Sequence, residues 1–355
     1  MKRILIYSTQ ILPTGGLESH LLEFCKHMYK EGIIIDLIVS NFQAPIATEF
    51  TYKEFCRKVF LGRNNSPIIK LLWLLYISAK VITTKYDALY SNGQGQSIYL
   101  LNRVLRMNKN WVHHHHTSGD EEDQVTWGTQ YLKALRKADT LIACSSLNAK
   151  HISGFINRKV DTIPCFSRKI SIENSYTIPH GKIKLGYYGR LIPEKGIDLL
   201  CQMSNDPDLS EVEFHIWGQG EAYPSSFFTK FPKIHYHNTF MGLSGLKNTL
   251  TSLNGVLLLS VHPEGLPISL LEAMSAGLPW LATDRGGIPD IACDPVSTRV
   301  ISANSNYIQF KQAVLSFAKD IQLGKISRET QEKLYKDNYS ASALIGQWKD
   351  ALNIA

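Results

Sequence analysis

Apolar residues along this chain fall into short runs of Val, Ile and Leu that alternate with longer stretches spaced like the face of a helix. Short runs between polar turns predict strands buried on both sides, and their alternation with helices predicts βαβ units feeding a parallel sheet. In the first half the runs are Arg3–Tyr7, Ile33–Val39, Ala88–Tyr90, Trp111–His114 and Thr140–Ala143. A second series, Ile183–Tyr188, Val212–Trp217, Gly255–Val261, Pro279–Ala282 and Arg299–Ile301, restarts the rhythm after a Ser-, Pro- and Lys-rich stretch from Cys165 to Lys182, which reads as a linker. The expectation is an α/β protein of two doubly wound domains facing across a cleft, with ligands held beyond the carboxyl ends of the strands. The pattern contains no solenoid-length repeat.

Composition narrows this little further. The 355 residues suit two domains of ordinary size, and 44% hydrophobic with 19% charged residues is a globular balance. The six cysteines (Cys25, Cys56, Cys144, Cys165, Cys201, Cys293) lie far apart, with no C-x-x-C pair and no Cys/His spacing of a zinc site, so they read as reduced, mostly buried thiols. Met1 leads straight into a strand without a secretory h-region, so the expected compartment is the cytosol. The net charge of +7 is uneven: residues 1–180 hold 22 Lys and Arg against 14 Asp and Glu, the remainder 16 against 17. A basic face can serve anionic lipid, nucleic acid or a phosphorylated substrate, and charge does not choose among them.

The most apolar stretch, Ile68–Ile82, follows Ser66 as N-cap and Pro67 at the first helical position. It carries Lys70 and Lys80 and is too short to span a bilayer. It reads as a buried crossover helix or as one that touches a membrane surface.

Four motifs carry chemistry. Gly15-Gly16 follows the first strand and opens a helix with apolar positions Leu17, Leu21, Cys25 and Met28, which makes it either a plain tight turn or an anion-binding loop. It is not G-x-G-x-x-G, and Asp36 sits inside the second apolar run, which disfavours a nicotinamide cofactor. Gly189-Arg190 ends a strand and Glu194-Lys195-Gly196 opens the next helix, so a guanidinium and an ammonium can converge on a diphosphate. In the run from His262 to Pro279, Glu264 lies in a loop, Pro267 suits a first helical position, and Glu272 lies inside a helix ended by Gly277-x-Pro279. Two such carboxylates suit a hydroxyl-rich ligand. Finally, His113 to His116 end a strand, where alternation must turn at least two of the four away from any pocket.

Taken together, these motifs resemble the retaining nucleotide-sugar glycosyltransferases of the two-Rossmann-domain (B-type) architecture, specifically the large family 4, over nearly the whole chain. The most specific element is E-x7-E, here Glu264 and Glu272, followed by Glu-Ala-Met-Ser-Ala-Gly-Leu-Pro and Gly286-Gly287-Ile288-Pro289. The resemblance implies that Glu264 meets hydroxyls of the donor sugar and that Glu272 holds the ribose. It implies Arg190 and Lys195 on the pyrophosphate, Gly218 and Gly220 in the nearby G-x-G turn, and Leu266, Pro267 and Ile268 at a donor-facing helix start. Gly15 and Gly16, followed by Glu18, match the amino-terminal glycine loop, and His116 the histidine of the reacting centre, with His114 and His115 as other registers. It implies an acceptor domain at 1–178, a donor domain at 179–338, and a last segment, 339–355, crossing back to the first domain through Leu344, Trp348 and Leu352. Two departures stand beside the matches: Ile163-Pro164 is followed by Cys165-Phe166 where the family often has Asn-Gly, and His235–Phe240 replaces a Gly-containing loop around the nucleotide base.

The function so implied is retaining, hexosyltransferase-type transfer from a nucleotide-diphosphate sugar to a hydroxyl of a glycan or lipid-linked glycan. Cell-surface polysaccharide or lipopolysaccharide synthesis at the inner face of the membrane, with peripheral contact to anionic lipid, is the implied setting. With no D-x-D pair standing where a metal would bridge phosphates, no metal and no other cofactor is expected. The alternatives are an epimerase of the same architecture, which needs no acceptor, and a non-catalytic binding protein. Nucleic acid is disfavoured for want of an aromatic-and-basic recognition motif.

Overall fold

The computed structural model describes all residues except 14, 64–65, 96, 106–109, 173–180 and 241. The chain divides into two compact units, Met1–Phe166 with Ala341–Ala355, and Ser167–Ser340. Strands of the first unit are β1 Arg3–Ser8, β2 Ile34–Val39, β3 Lys58–Leu61, β4 Ala88–Asn92, β5 Trp111–His115, β6 Thr140–Ala143 and β7 Asp161–Thr162. Those of the second are β8 Ile183–Tyr188, β9 Val212–Trp217, β10 Ile234–Tyr236, β11 Gly255–Leu258, β12 Trp280–Thr283 and β13 Thr298–Ile301. The sheet orders are β3-β2-β1-β4-β5-β6-β7 and β10-β9-β8-β11-β12-β13, and every ladder among these strands is parallel. Both are doubly wound α/β sheets, and strand order reverses between β1 and β4 and between β8 and β11. At such switch points the loops leaving the strands splay apart and make a crevice for ligand.

Burial follows the pleat. In β1, Ile4 and Ile6 join one apolar layer while Leu5 and Tyr7 join the other, so both faces of the first sheet are covered. Leu344, Trp348 and Leu352, on and just after the helix Ala341–Ala351, are fully buried in the first of these layers. The chain therefore returns to its first unit through a stripe at helical spacing, with Trp348 edge-on to Phe24 at 5.3 Å. Asp36, inside β2 and fully buried, accepts hydrogen bonds from Arg57 and Tyr86, a structural role.

Two expectations are corrected. The division falls at Phe166/Ser167 rather than after residue 178, because Ser167 bonds Tyr335, Arg168 bonds Glu272 and the Ile170 N–H donates to Ser275 Oγ, all within the second unit. The remainder of the expected linker, 173–180, lies outside the described residues. The helix Pro67–Val81 is not a buried crossover: Ile77, Ser78 and Val81 are buried, but Ile68, Ile69, Leu71, Leu72, Leu75 and Tyr76 are exposed. Among the described residues no helix is long and apolar enough to cross a membrane.

Candidate active site

The second unit assembles its chemistry at the carboxyl edge beside the β8/β11 switch point. Gly189 and Arg190 leave β8, where the Arg190 carbonyl accepts from Tyr187 Oη at 2.6 Å and its side chain is exposed. A short 3₁₀ turn, Pro193–Lys195, then carries Lys195. Its shape comes from backbone bonds, Lys195 N–H to Ile192 O at 3.0 Å and Val261 N–H to Glu194 O at 2.9 Å, which tie it to the loop after β11. In that loop Glu264 Oε1 accepts from Lys195 Nζ and from Ser260 Oγ, each at 2.5 Å. Both bonds fall on Oε1, and Oε2 has no hydrogen-bond partner among the described residues. The Lys195 and Glu264 side chains are 19% and 14% exposed, so the pair opens to solvent.

Backbone crowding explains the glycines here. Gly286 has φ +57°, and a Cβ there would lie 1.8 Å from the Glu264 carbonyl oxygen, so only glycine lets the two loops touch. At Gly218 (φ +150°) a Cβ would lie 1.9 Å from Gly189 O, which seats the Gly218-x-Gly220 turn directly on the loop that bears Arg190. That turn also borders an open pocket lined by Gln219, Tyr223, Tyr236 and Asn238.

Glu272 sits in the helix Ile268–Ser275 and is 2% exposed. It accepts from Arg168 Nε at 2.5 Å. A buried carboxylate needs such a partner. Leu266, Pro267 and Ile268 are buried at the start of that helix, with Pro267 in the cap position rather than the first helical one. Tyr188 Oη bonds Ser269 O at 2.5 Å and so ties the end of β8 to this helix.

Gly15, Gly16 and His116 belong to the first unit. Gly15 caps the helix Gly16–Lys30, and the Glu18 carboxylate folds back to accept from the Leu12 N–H at 2.9 Å, closing the loop upon itself. The four histidines alternate as a strand requires. His113 and His115 face Tyr131 at 3.1 and 2.7 Å, and His115 Nε2 meets Asp123 at 3.2 Å. Burial opposes ionisation of Asp123, yet bonds from His115, Thr117 and Gln94 hold its carboxyl well below the usual range. On the other face, His114 Nε2 lies 3.3 Å from Cys144 Sγ, and His116 Nδ1 lies 3.7 Å from Cys144 Sγ and 3.6 Å from Cys165 Sγ. Burial lowers the basicity of both His114 and His116. Residues missed from sequence are Ser260, which leaves no motif, Arg168, which lay in the supposed linker, and the grouping of Cys144 with Cys165.

Sequence comparison places residues 169–339 in the family described as Glycosyl transferases group 1 and residues 14–166 in Glycosyltransferase Family 4. An uncharacterized glycosyltransferase of Methanocaldococcus jannaschii is 24% identical over 98% of this chain and 97% of its own. Among solved structures, HepE of Anabaena in complex with UDP-glucose superposes with a TM-score of 0.78 at 15% identity, covering 99% of this chain and 100% of that one. The lipopolysaccharide outer core galactosyltransferase WaaB, in its apo form, gives 0.72 at 16% identity, with 99% of each chain covered. Fold and site together define a two-Rossmann-domain protein of the B-type architecture. With both halves of the chain matched to glycosyltransferase families, it is a glycosyltransferase.

Proposed function

We propose that this glycosyltransferase moves a sugar, with retention of configuration, from a nucleoside diphosphate sugar to a hydroxyl of a glycan or lipid-linked glycan. The observation that carries the reading is the Lys195–Glu264–Ser260 cluster beside exposed Arg190 at the β8/β11 switch point. Lys195 has three donors and spends one on Glu264, leaving two for phosphate oxygens, while Arg190 adds a planar fork. As the glycosidic bond breaks, negative charge grows on the distal phosphate, and these fixed cations stabilise it. Glu264 Oε2 is the acceptor that sugar hydroxyls can satisfy, and Glu272 matches the carboxylate that the resemblance assigns to the ribose. Gln219, Tyr223, Tyr236 and Asn238 line a pocket suited to the base. In the first unit, His116 Nε2 is buried without a hydrogen-bond partner among the described residues, an atom that a substrate hydroxyl can complete. HepE, solved with UDP-glucose, and WaaB, named for lipopolysaccharide, support a nucleotide-sugar donor and a cell-surface glycan acceptor.

The test is a panel of nucleotide sugars scored by thermal shift, followed by product analysis of anomeric configuration with the donor that binds. An inverted product removes retention, and an epimerised sugar formed from donor alone favours the epimerase alternative. The cations already present suffice for the diphosphate, so turnover is expected to be unchanged by added Mg²⁺ or Mn²⁺. Activity lost on brief chelation and restored by either ion contradicts this.

The exposed apolar residues of the helix Pro67–Val81, in a basic half of the chain, suit the surface of an anionic bilayer at which such an acceptor is carried. Replacing Leu72 and Leu75 by Asp is expected to weaken co-sedimentation with vesicles containing anionic phospholipid by about tenfold or more. Equal binding by the variant rejects this surface as the contact.

A further inference from the structure

Three neighbouring strand ends in the first unit bring four ligand-type side chains together. His114 lies in β5 and His116 just after it, Cys144 follows β6 immediately, and Cys165 lies three residues past β7. Parallel pairing puts these ends at one edge, with His115 opposite Ala143 and Ala143 opposite Thr162. Strand alternation turns His114 and His116 to the same side. Their nitrogens and the two sulfurs all lie within 4.8 Å of one another, and Cys144 Sγ stands 3.2 Å from Cys165 Sγ.

We propose that His114 Nε2, His116 Nδ1, Cys144 Sγ and Cys165 Sγ form a tetrahedral site for a structural zinc ion. With Zn–S of about 2.3 Å and Zn–N of about 2.0–2.1 Å, a tetrahedron sets sulfurs about 3.8 Å apart and sulfur from nitrogen about 3.5 Å. Three of the four sulfur–nitrogen separations are 3.3, 3.7 and 3.6 Å, close to that figure, and the fourth, His114 Nε2 to Cys165 Sγ, is within 4.8 Å. The sulfurs, at 3.2 Å, need to part by about half an ångström to take the metal. To form a disulfide of about 2.05 Å they would have to close by more than an ångström, the larger movement.

Charge and support agree with this geometry. Two thiolates neutralise a divalent ion, so the filled site carries no net charge, as its burial requires: His114, Cys144 and Cys165 are at most 2% exposed. Tyr90 Oη sits 3.0 Å from His114 Nδ1 and His20 Nε2 sits 2.9 Å from the same oxygen, a chain that holds the imidazole with Nε2 toward the sulfurs. Trp348 closes the side of His114, with ring centroids 4.8 Å apart. The ion would fasten β5, β6 and the segment after β7 at the edge where doubly wound sheets bind ligand, and would hold His116 by Nδ1 with Nε2 left for another partner. Its ligands are separate from Arg190, Lys195 and Glu264, and it shares with the proposed acceptor contact only His116, through the opposite ring nitrogen.

The full-length protein, expressed with supplemented zinc and purified without chelator, is assayed by elemental analysis and native mass spectrometry. About one zinc per chain is expected, falling to near zero in Cys144→Ser/Cys165→Ser and unchanged in Cys201→Ser. Titrating wild-type protein stripped of metal with Co²⁺ gives a second readout that needs no variant: thiolate-to-cobalt charge transfer together with the d–d bands of a tetrahedral ion. Zinc absent from wild-type protein, zinc retained by the double variant, cobalt spectra without thiolate bands, or a Cys144–Cys165 disulfide in the unreduced peptide map each overturns the site.

Discussion

Lys195→Ala is expected to lower kcat by about 10²–10³-fold while barely moving the melting temperature, the loss typical of removing one preorganised donor aimed at developing charge. The two effects separate because the loop does not depend on the side chain. Lys195 N–H to Ile192 O, Gly196 N–H to Pro193 O and Val261 N–H to Glu194 O persist in the variant. The ion pair is partly exposed, and such pairs contribute about 1 kcal/mol or less to stability. Glu264 keeps its bond from Ser260, so no carboxylate is stranded. In the transition state the same ammonium faces charge that water no longer shields, which makes it worth more there than in the resting fold. Lys195→Arg keeps the charge with a different reach and should retain part of the rate. Turnover measured beside thermal melting decides the matter: full activity in Lys195→Ala removes its role on the leaving group.

Most of this architecture was readable from apolar runs because a strand covered on both faces has few polar positions to interrupt it. The strands that escaped, β3, β7 and β10, are short and lie at sheet edges, and each carries exposed or half-buried positions that break the run. The helix Pro67–Val81 misled for the opposite reason. Its outward side is apolar, so no polar stripe marked it as exposed, and an all-apolar helix reads as buried. The grouping of Cys144 and Cys165 with two histidines was hidden by spacing. A zinc motif is legible when its ligands sit on one local turn, whereas Cys144, Cys165 and the two histidines meet only because parallel pairing aligns three strand ends. Within the candidate active site, Lys195 and Glu264 stand on loops with glycine-rich flanks that signal close backbone approach, and both were legible. Ser260 and Arg168 were not, since a lone serine at a strand end and an arginine in a polar stretch look the same whether or not they touch a carboxylate.

Arg168 and Glu272 should separate stability from catalysis in the reverse sense to Lys195. Arg168→Ala removes a charge-assisted bond to the buried Glu272 carboxylate, a change that costs about 3 kcal/mol. For a unit of this size each kcal/mol moves the melting temperature by about 2–4 °C, so the second unit is expected to melt roughly 6–12 °C lower. Glu272→Ala removes the buried charge itself. Arg168, with 26% of its side chain exposed, can turn its guanidinium to water, so the expected loss of stability is smaller. Activity should rank the other way: Glu272→Ala abolishes or severely reduces transfer, because the donor loses the carboxylate assigned to its ribose. Arg168→Ala retains transfer at temperatures where the second unit stays folded. Differential scanning calorimetry of both variants, with turnover measured well below the lower transition, tests the pair together. Full activity in Glu272→Ala would dismiss its contact with the donor, and an unchanged melting temperature in Arg168→Ala would mean that Glu272 does not rely on Arg168 for compensation.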